Sequence, residues 1–374
     1  LKNSKYSYSG WRQTMFKEDF LAQLKELAAI PGAPGHEYHV VKRIVELIEP
    51  YADAVEVDHM GNIYATLEGH KPGPTVMVGA HSDEIGAMVC AIDDQGFLRM
   101  ERLGGTLPSL LIGRKVNVNG HFGVVGVKAG HLQTAEDKKR VPDISELYVD
   151  VGAKSKAEVL DMGINIGDPI TYISEIEQFT NKDLICGGAI DNRSCCVLLI
   201  ELFKQLQDKD FSGKLVGVVT VQEEVGLRGA QTSTYKVDPD YAIIIDTIAC
   251  VDTPDGNYYP LKIGAGPVIP LLAKGQATSG GNIMAHQMKD LIIRYATQLN
   301  IPYQLSVISQ GTSDISAVHL VKEGVLSGAI VFPRRYSHSP VEMADLNDFE
   351  AGFKLLKGLI RGIEEWGDMS FIKS

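Results

Sequence analysis

Apolar and polar positions near the start of the chain follow helical spacing and then change to the pattern of a buried strand. Residues 17–30 predict an amphipathic helix that ends before Pro31. Its apolar positions recur every three or four residues at Phe20, Leu21, Leu24 and Leu27. Residues 40–48 repeat this spacing. The run TVMVGAH at 75–81 is apolar almost up to its terminal histidine, which is typical of a strand buried on both faces.

The pattern changes after about residue 89, where short alternating segments broken by glycine replace the helical spacing up to about residue 176. Short strands this close together indicate a small β-rich domain. The strands predicted there cover residues 97–103, 115–119, 124–127, 147–151 and 169–173, with one short helix at 155–161.

Helix and strand patterns alternate again from residue 191. The predicted helices cover 191–207, 282–299 and 346–366, and the predicted strands cover 215–222, 242–246, 303–309 and 325–332. We therefore expect an α/β fold, a mixed sheet flanked by helices, formed by residues 15–88 and 177–374. A small β-barrel-like domain is inserted at 89–176, and the polar residues 1–14 are expected to be a leader or an extension.

Charge and cysteine content argue against several classes of protein. The 374 residues hold 36 Lys and Arg against 47 Asp and Glu, a net charge of −11. A nucleic-acid or membrane-surface partner would need a concentrated basic surface, so we expect neither. No uncharged apolar run reaches the roughly 18 residues that a membrane span needs. Five scattered cysteines without a CxxC pair indicate free thiols in a reducing compartment, so we expect a cytoplasmic protein.

Histidines and carboxylates follow predicted strands or glycine turns at five places. These are His81 with Asp83, Asp191 after two glycines, Glu223 with Glu224, Asp246, and His338. In open α/β sheets ligands bind outside the carboxyl ends of the strands, so we expect these side chains to meet there. Such a set suits Zn²⁺, Co²⁺ or Mn²⁺, and its size suits two ions. Each position alone also has an ordinary explanation, such as a helix N-cap for Asp191, so the joint pattern carries the prediction.

Six motifs connect these positions with a known family. They are GAHSDEIG (79–86), GGAIDNR (187–193), TVQEEVGLRGA (220–230), IIIDT (243–247), GTSD (311–314) and YSHSPVE (336–342). With them the chain resembles, from about residue 15 to 367, the tetrahedral (TET-type) dinuclear metallo-aminopeptidases. That family includes glutamyl aminopeptidases and relatives labelled endoglucanase. The resemblance implies a zinc-peptidase-like catalytic domain, an inserted dimerisation domain, peptide substrates, and assembly through dimers into a tetrahedral dodecamer.

The resemblance also assigns metal ligands to particular residues. It implies two divalent ions per subunit, Zn²⁺, Co²⁺ or Mn²⁺. His81 and Asp246 would hold one ion, and Glu224 and His338 the other. Asp191 would bridge both ions, which requires that its oxygens are not used to cap a helix.

Glu223 and Asp83 fall at family positions that act without binding metal. Consecutive strand residues point to opposite faces, so Glu223 and Glu224 would not both be ligands unless the backbone turns there. Glu223 would be the general base that takes a proton from metal-activated water. Asp83 would accept the other ring N–H of His81 and fix its tautomer. The implied reaction is the removal of N-terminal residues from peptides.

Other functions stay open at this stage. The same ligands suit a deacylase or a carboxypeptidase, and the endoglucanase label raises a glycosidase, which needs two carboxyl groups flanking one bond. A non-catalytic assembly protein would have no use for Glu223. Serine catalysis through Ser313 and His319 lacks the G-x-S-x-G elbow, and Asp314 fits better beside the substrate or the ligands. The sequence leaves the preferred N-terminal residue and the metal open. The cationic candidates for an acidic substrate pocket are Lys262, Arg334 and Arg335.

Overall fold

The computed structural model describes residues 13–254, 256, 260–274, 280–308 and 311–372. Residues 1–12, most of the expected leader, lie outside the described residues. The first helix begins at Gln13, so residues 13 and 14 of that expected segment belong to the helix.

Helices and strands alternate along most of the chain. The α-helices are α1 (Gln13–Ala28), α2 (Tyr38–Ile48), α3 (Pro108–Leu111), α4 (Lys156–Asp161), α5 (Ile190–Gln205), α6 (Arg228–Val237), α7 (His286–Gln298), α8 (Ile315–Val318) and α9 (Leu346–Arg361). Short 3₁₀ turns lie at Glu49–Tyr51, Gly130–Leu132, Asp137–Lys139, Ile144–Glu146 and Ile363–Glu365. The strands are β1 (Ala54–Val57), β2 (Ile63–Glu68), β3 (Lys71–His81), β4 (Gly86–Ile92), β5 (Leu98–Leu103), β6 (Lys115–Val118), β7 (His121–Gly126), β8 (Tyr148–Asp150), β9 (Pro169–Tyr172), β10 (Glu177–Gln178), β11 (Leu184–Gly187), β12 (Ser212–Thr220), β13 (Tyr241–Ala249), β14 (Val268–Lys274), β15 (Gly281–Ile283), β16 (Gln304–Ile308), β17 (Leu326–Arg334) and β18 (Glu342–Asp345).

A mixed sheet forms the centre of the fold. Its order is β1-β2-β12-β3-β13-β17-β14-β15, and β16 pairs with β14. The four middle strands β12, β3, β13 and β17 are parallel, while β1, β2 and β15 are antiparallel to their neighbours. The predicted mixed α/β sheet flanked by helices is therefore confirmed.

The parallel strands are buried because helices cover the sheet. The apolar residues 76–80 of β3 are completely or almost completely buried. Helix α5 packs against β3 and against α1, and all its residues from Ile190 to Phe203 are buried. Removing one large apolar side chain from such a position costs roughly 2–5 kcal/mol. Burial on this scale gives the residues at the strand ends a rigid support.

A closed six-stranded antiparallel barrel is inserted into the chain after strand β3 of the sheet. It has the order β4-β5-β8-β7-β6-β9, and its apolar core is separate from that of the sheet. The first and last barrel strands pair with each other, with Ala87 opposite Ile170 and Met88 opposite Pro169. The inserted β-barrel-like unit of the predicted fold class is confirmed, and its first strand begins at Gly86, three residues before the expected position.

Several elements were not predicted. They are the edge hairpin β1–β2, strands β4, β14 and β15, helices α3, α6 and α8, and a small three-stranded sheet of β10, β11 and β18. The predicted helix at 282–299 was wrong at its start, because β15 occupies Gly281–Ile283 and the helix begins at His286. No helix in the described ranges is long and apolar enough to cross a membrane. All five cysteines are unpaired.

Candidate active site

The carboxyl ends of the parallel strands bring the predicted site residues together. His81 is the last residue of β3 and lies opposite Thr220, the last residue of β12. Asp246 lies near the end of β13, and β17 beside it leads into the loop that carries His338. Parallel strands end at the same edge of a sheet, so residues far apart in sequence meet there, as expected.

His81, Asp191 and Asp246 form the first donor group. Nε2 of His81 lies 3.1 Å from Oδ1 of Asp191 and 3.5 Å from Oδ1 of Asp246. In a tetrahedral zinc site with bonds of roughly 2.0–2.1 Å, ligand atoms lie about 3.3 Å apart. All three side chains are buried. These donors therefore have the spacing and the shielding from solvent of a metal site.

Asp191, Glu224 and His338 form the second donor group. Nε2 of His338 lies 3.5 Å from Oδ2 of Asp191 and 3.6 Å from Oε2 of Glu224, again close to the spacing of zinc ligands. The His338 side chain is 32% exposed, whereas that of His81 is 2% exposed. The second group is therefore the one that opens towards solvent.

Asp191 connects the two groups through its two oxygens. It lies at the start of α5, where its own φ/ψ of −79° and 107° are non-helical and Ala189 has a φ of +54°. Its amide donates to Oε2 of Glu342 at 3.0 Å. Oδ1 is on the side of His81 and Oδ2 on the side of His338. This backbone conformation turns both oxygens towards the donor groups, as a bridging ligand requires.

Glu223 and Glu224 lie on a turn and not on a strand. Strand β12 ends at Thr220, and Gln222 has a φ of +58°. The predicted strand at 215–222 therefore extended too far, and alternation of strand faces does not apply to the pair. Oε2 of Glu223 lies 4.0 Å from Nε2 of His81. His81, Glu223 and Glu224 also form a third set of donors within 4.8 Å of one another.

Asp83 holds this turn in place. It is completely buried, and its two carboxylate oxygens accept hydrogen bonds from the amides of Glu223 and Glu224, both at 3.0 Å. Nδ1 of His81 lies 3.2 Å from the backbone carbonyl oxygen of Asp83 and 3.5 Å from its carboxylate Oδ1. Asp83 therefore orients His81 chiefly through its main chain, and its side chain has a second task that the sequence did not predict.

Burial penalises the charged form of several carboxyl groups in the site. It raises the pKa of Glu224 to about 8, and it raises the pKa of Glu223 well above the ordinary value and that of Asp246 as well. Burial raises the pKa of Asp314 to about 7. Without a bound cation the carboxylates repel one another, so cations of high charge would relieve an unfavourable concentration of negative charge.

For Asp191 and His81, the neighbouring charges outweigh the effect of burial on the pKa. Burial acts to raise the pKa of Asp191, but Arg334, His338 and His81 hold it well below its ordinary range. Burial acts to lower the pKa of His81, yet Glu223 and the neighbouring aspartates raise it well above the usual value. Asp191 is therefore a carboxylate in the site, which is the form that binds metal.

Arg334 and Glu342 lie in the site, although the sequence predicts neither of them among the metal ligands or beside them. Arg334 is 3% exposed, and its guanidinium contacts the carboxylates of Asp191 and Glu342. Glu342 accepts hydrogen bonds from the amides of Asp191 and His338, both at 3.0 Å. The sequence signal for Glu342 was its place in the YSHSPVE motif. The sequence predicts Arg334 only as one of three candidate substrate-binding cations, with Lys262 and Arg335.

Those two other cations lie elsewhere. Arg335 pairs with Asp252 at 2.7 Å, and Lys262 is exposed. The alternative serine site is not assembled either, because Nδ1 of His319 lies 2.8 Å from the carbonyl oxygen of Ile315 in its own helix.

Asp314 is buried beside the site. Thr220 donates to its Oδ2 at 2.5 Å, and its Oδ1 has no hydrogen-bond partner among the described residues.

Comparison with known proteins gives consistent matches over nearly the whole chain. The family model of M42 glutamyl aminopeptidases matches residues 61–355. A protein of Acetivibrio thermocellus is 38% identical over 91% of this chain and 98% of its own length. The lysyl aminopeptidase of Pyrococcus furiosus is 32% identical over 93% and 98% of the two chains, and the glutamyl aminopeptidase of Lactococcus lactis is 32% identical over 92% and 96%.

Solved structures show the same fold. An aminopeptidase of Desulfurococcus kamchatkensis has a TM-score of 0.88 and 34% identity over 96% of this chain and 100% of that chain. The TET1 peptidase of Pyrococcus horikoshii, which can assemble into a tetrahedron or a large octahedral shell, has a TM-score of 0.80 and 33% identity over 91% and 99%. A Thermotoga maritima protein named endoglucanase has a TM-score of 0.72 and 27% identity over 92% and 99%.

Proposed function

Since the chain belongs to the M42 glutamyl aminopeptidase family and is therefore an aminopeptidase, we propose that two divalent metal ions support its reaction. His81, Asp191 and Asp246 would hold one ion, and Asp191, Glu224 and His338 the other. The observation that carries this proposal is the pair of three-donor groups that share Asp191, with donor spacings of 3.1–3.6 Å. Zn²⁺, Co²⁺ and Mn²⁺ all accept such nitrogen and oxygen donors.

The two ions would supply Lewis acidity at the scissile carbonyl and lower the pKa of the attacking water. Glu223 takes a proton from that water and passes it to the leaving amine. Its buried position, which raises its pKa, favours proton acceptance. Asp83 fixes the amides of Glu223 and Glu224, so it positions the base relative to the ligands.

We propose that the barrel is the dimerisation domain and that dimers assemble into a tetrahedral dodecamer. Large apolar side chains in the inserted region are at least half exposed: Leu107, Phe122, Leu132, Val141 and Ile166. An interface formed by the barrel would remove such side chains from water. The tetrahedral assembly of the Pyrococcus horikoshii relative supports the proposed dodecamer. The unpaired cysteines are consistent with a cytoplasmic location.

A metal-dependence experiment tests the proposed activity. The enzyme is stripped with a chelator, and hydrolysis of aminoacyl chromogenic substrates is measured before and after Zn²⁺, Co²⁺ or Mn²⁺ is added. We expect activity to disappear and return with metal. N-acetylated and C-terminally blocked peptides separate an aminopeptidase from a deacylase or a carboxypeptidase. Polysaccharide hydrolysis that survives the chelator would instead support the glycosidase named by one relative.

A further inference from the structure

Arg334 places a permanent positive charge inside the second donor group. It is the last residue of β17, and its side chain is 4% exposed. Nε donates to Oγ1 of Thr247 at 2.7 Å, Nη1 lies 3.2 Å from Oε1 of Glu342, and Nη2 donates to Oδ2 of Asp191. Nη1 also donates to the hydroxyl of Ser337. All three nitrogens of the guanidinium are therefore used within the protein.

The contact with Asp191 is made on one side only. Arg334 contacts Oδ2, the oxygen that faces His338, while Oδ1 faces His81. A bridging carboxylate offers one oxygen to each ion. The guanidinium therefore occupies the oxygen that the second ion needs, whereas Oδ1 lies 3.1 Å from Nε2 of His81, which is itself a proposed ligand of the first ion.

We infer that Arg334 makes the two metal sites unequal, with a tight first site at His81–Asp191–Asp246 and a weaker, exchangeable second site at Asp191–Glu224–His338. This inference rests on the proposed two-metal function. A guanidinium stays protonated throughout the physiological range, so its repulsion of a second cation does not vary with pH. The greater exposure of His338 acts in the same direction, because an open site exchanges its ion more readily.

The consequence is a second site that fills only when free metal is abundant. At low metal concentration the ion pair of Arg334 with Asp191 and Glu342 offsets part of the negative charge of these two carboxylates. A second ion has to compete with this internal cation. The enzyme would then respond to metal supply over a concentration range set by Arg334.

Co²⁺ titration of chelator-stripped enzyme tests the inference, with visible absorption and elemental analysis as readouts. In the wild-type enzyme the second equivalent should bind at least about 10-fold more weakly than the first. Arg334→Met removes the charge and keeps the length of the side chain. It should strengthen second-site binding about 10- to 100-fold, because two like charges a few ångströms apart repel each other strongly in a protein. Arg334→Lys keeps the charge and should keep the second site weak.

Arg335→Met is the matched control, because Arg335 is the next residue but pairs with Asp252. Its two Co²⁺ affinities should equal those of the wild-type enzyme. If Arg334→Met does not fold, Arg334→Gln gives the same neutral comparison. If the two sites of the wild-type enzyme bind Co²⁺ equally well, the inference about Arg334 is wrong. It is also wrong if Arg334→Met and Arg334→Lys strengthen second-site binding equally. Neither result would contradict the two-metal proposal. Absence of any bound Co²⁺ would overturn the proposed two-metal function and the inference with it.

Discussion

Oε2 of Glu223 lies 4.0 Å from Nε2 of His81, farther than His81 lies from either carboxylate of the first donor group. This spacing places the Glu223 carboxylate beside the ligands, where a water molecule attacking a bound peptide would be within reach. Its neighbour Glu224 lies 3.6 Å from His338. The two adjacent glutamates therefore have different expected roles.

Exchange of each glutamate for glutamine separates these roles. Glu223→Gln should lower kcat by about 10²- to 10⁴-fold or more, the range for loss of a general base, with metal content near that of wild type. Glu224→Gln should weaken one metal site, and added metal should partly restore activity. Elemental analysis and peptide hydrolysis give the answer. A metal-poor Glu223→Gln enzyme beside a fully metallated, inactive Glu224→Gln enzyme would reverse the assignment.

Gly105 of the inserted domain leaves no room for a side chain beside His338. A β-carbon at Gly105 would lie 2.3 Å from Nδ1 of His338, so Gly105→Ala should displace the imidazole. We expect second-site metal binding to weaken about 10- to 100-fold while the first site is retained. Gly130→Ala is the control, because a β-carbon there meets nothing within 4 Å. Co²⁺ titration curves that coincide for all three proteins would contradict this prediction.

Removal of the barrel should break the assembly into smaller species. Met88 and Pro169 face each other across the first and last barrel strands, so a two-residue Asn-Gly turn can replace residues 89–168. Light scattering gives the mass, and circular dichroism checks the catalytic domain. An unchanged mass would show that the barrel is not needed for assembly. Phe122→Asp, at a 57% exposed apolar position on β7, is expected to weaken assembly without removing the domain.

The loop before α2 should make stability depend on pH. Glu37 accepts a hydrogen bond from the amide of Gln222 at 3.1 Å, and burial raises its pKa from 4.5 to about 7. Between pH 4.5 and 7 the folded chain keeps a proton that the unfolded chain loses, so this group's contribution to stability falls as pH rises. Over this range the free energy of unfolding falls by about 3 kcal/mol because of Glu37, and above pH 7 this group causes no further change.

Glu37→Gln does not titrate, so it tests this effect directly. In urea unfolding of metal-free protein, the variant should gain stability relative to wild type between pH 5 and pH 8. Glu18→Gln, on the exposed face of α1, is the control and should leave the pH profile unchanged. If the difference between Glu37→Gln and wild type is the same at both pH values, Glu37 is not the responsible group.

The sequence predicted best where burial is continuous. The apolar run of β3 predicts a buried strand. Buried parallel strands end at the same edge of a sheet, so the sequence also predicted that His81 and Asp246 meet there. By contrast, the edge strand β1 is mostly exposed and lacks a clear apolar alternation, so it gave no signal. The turn after β12 depends on a positive φ at Gln222, a conformation for which glycine is the usual indicator.

Two adjacent arginines show what sequence patterns do not separate. Arg334 and Arg335 have the same chemistry, and the sequence offered both as substrate-binding cations. In the structure Arg334 contacts Asp191 at the centre of the site, while Arg335 pairs with Asp252. Only the direction of each side chain at the end of β17 distinguishes them. The charge of Arg334 was therefore visible in the sequence, but its partner Asp191 was not.

Strand β3 lies between β12 and β13 in the sheet, and both of these neighbours follow the barrel in sequence. During synthesis the ribosome therefore delivers all six barrel strands before either neighbour of β3 exists. Domains generally fold as units while the chain emerges, so we expect the barrel to close over its own core while β3 still has both edges unpaired. His338 emerges later than every other proposed metal ligand. The proposed metal centre therefore cannot be complete before His338 has emerged, well after the barrel and the first ligand His81.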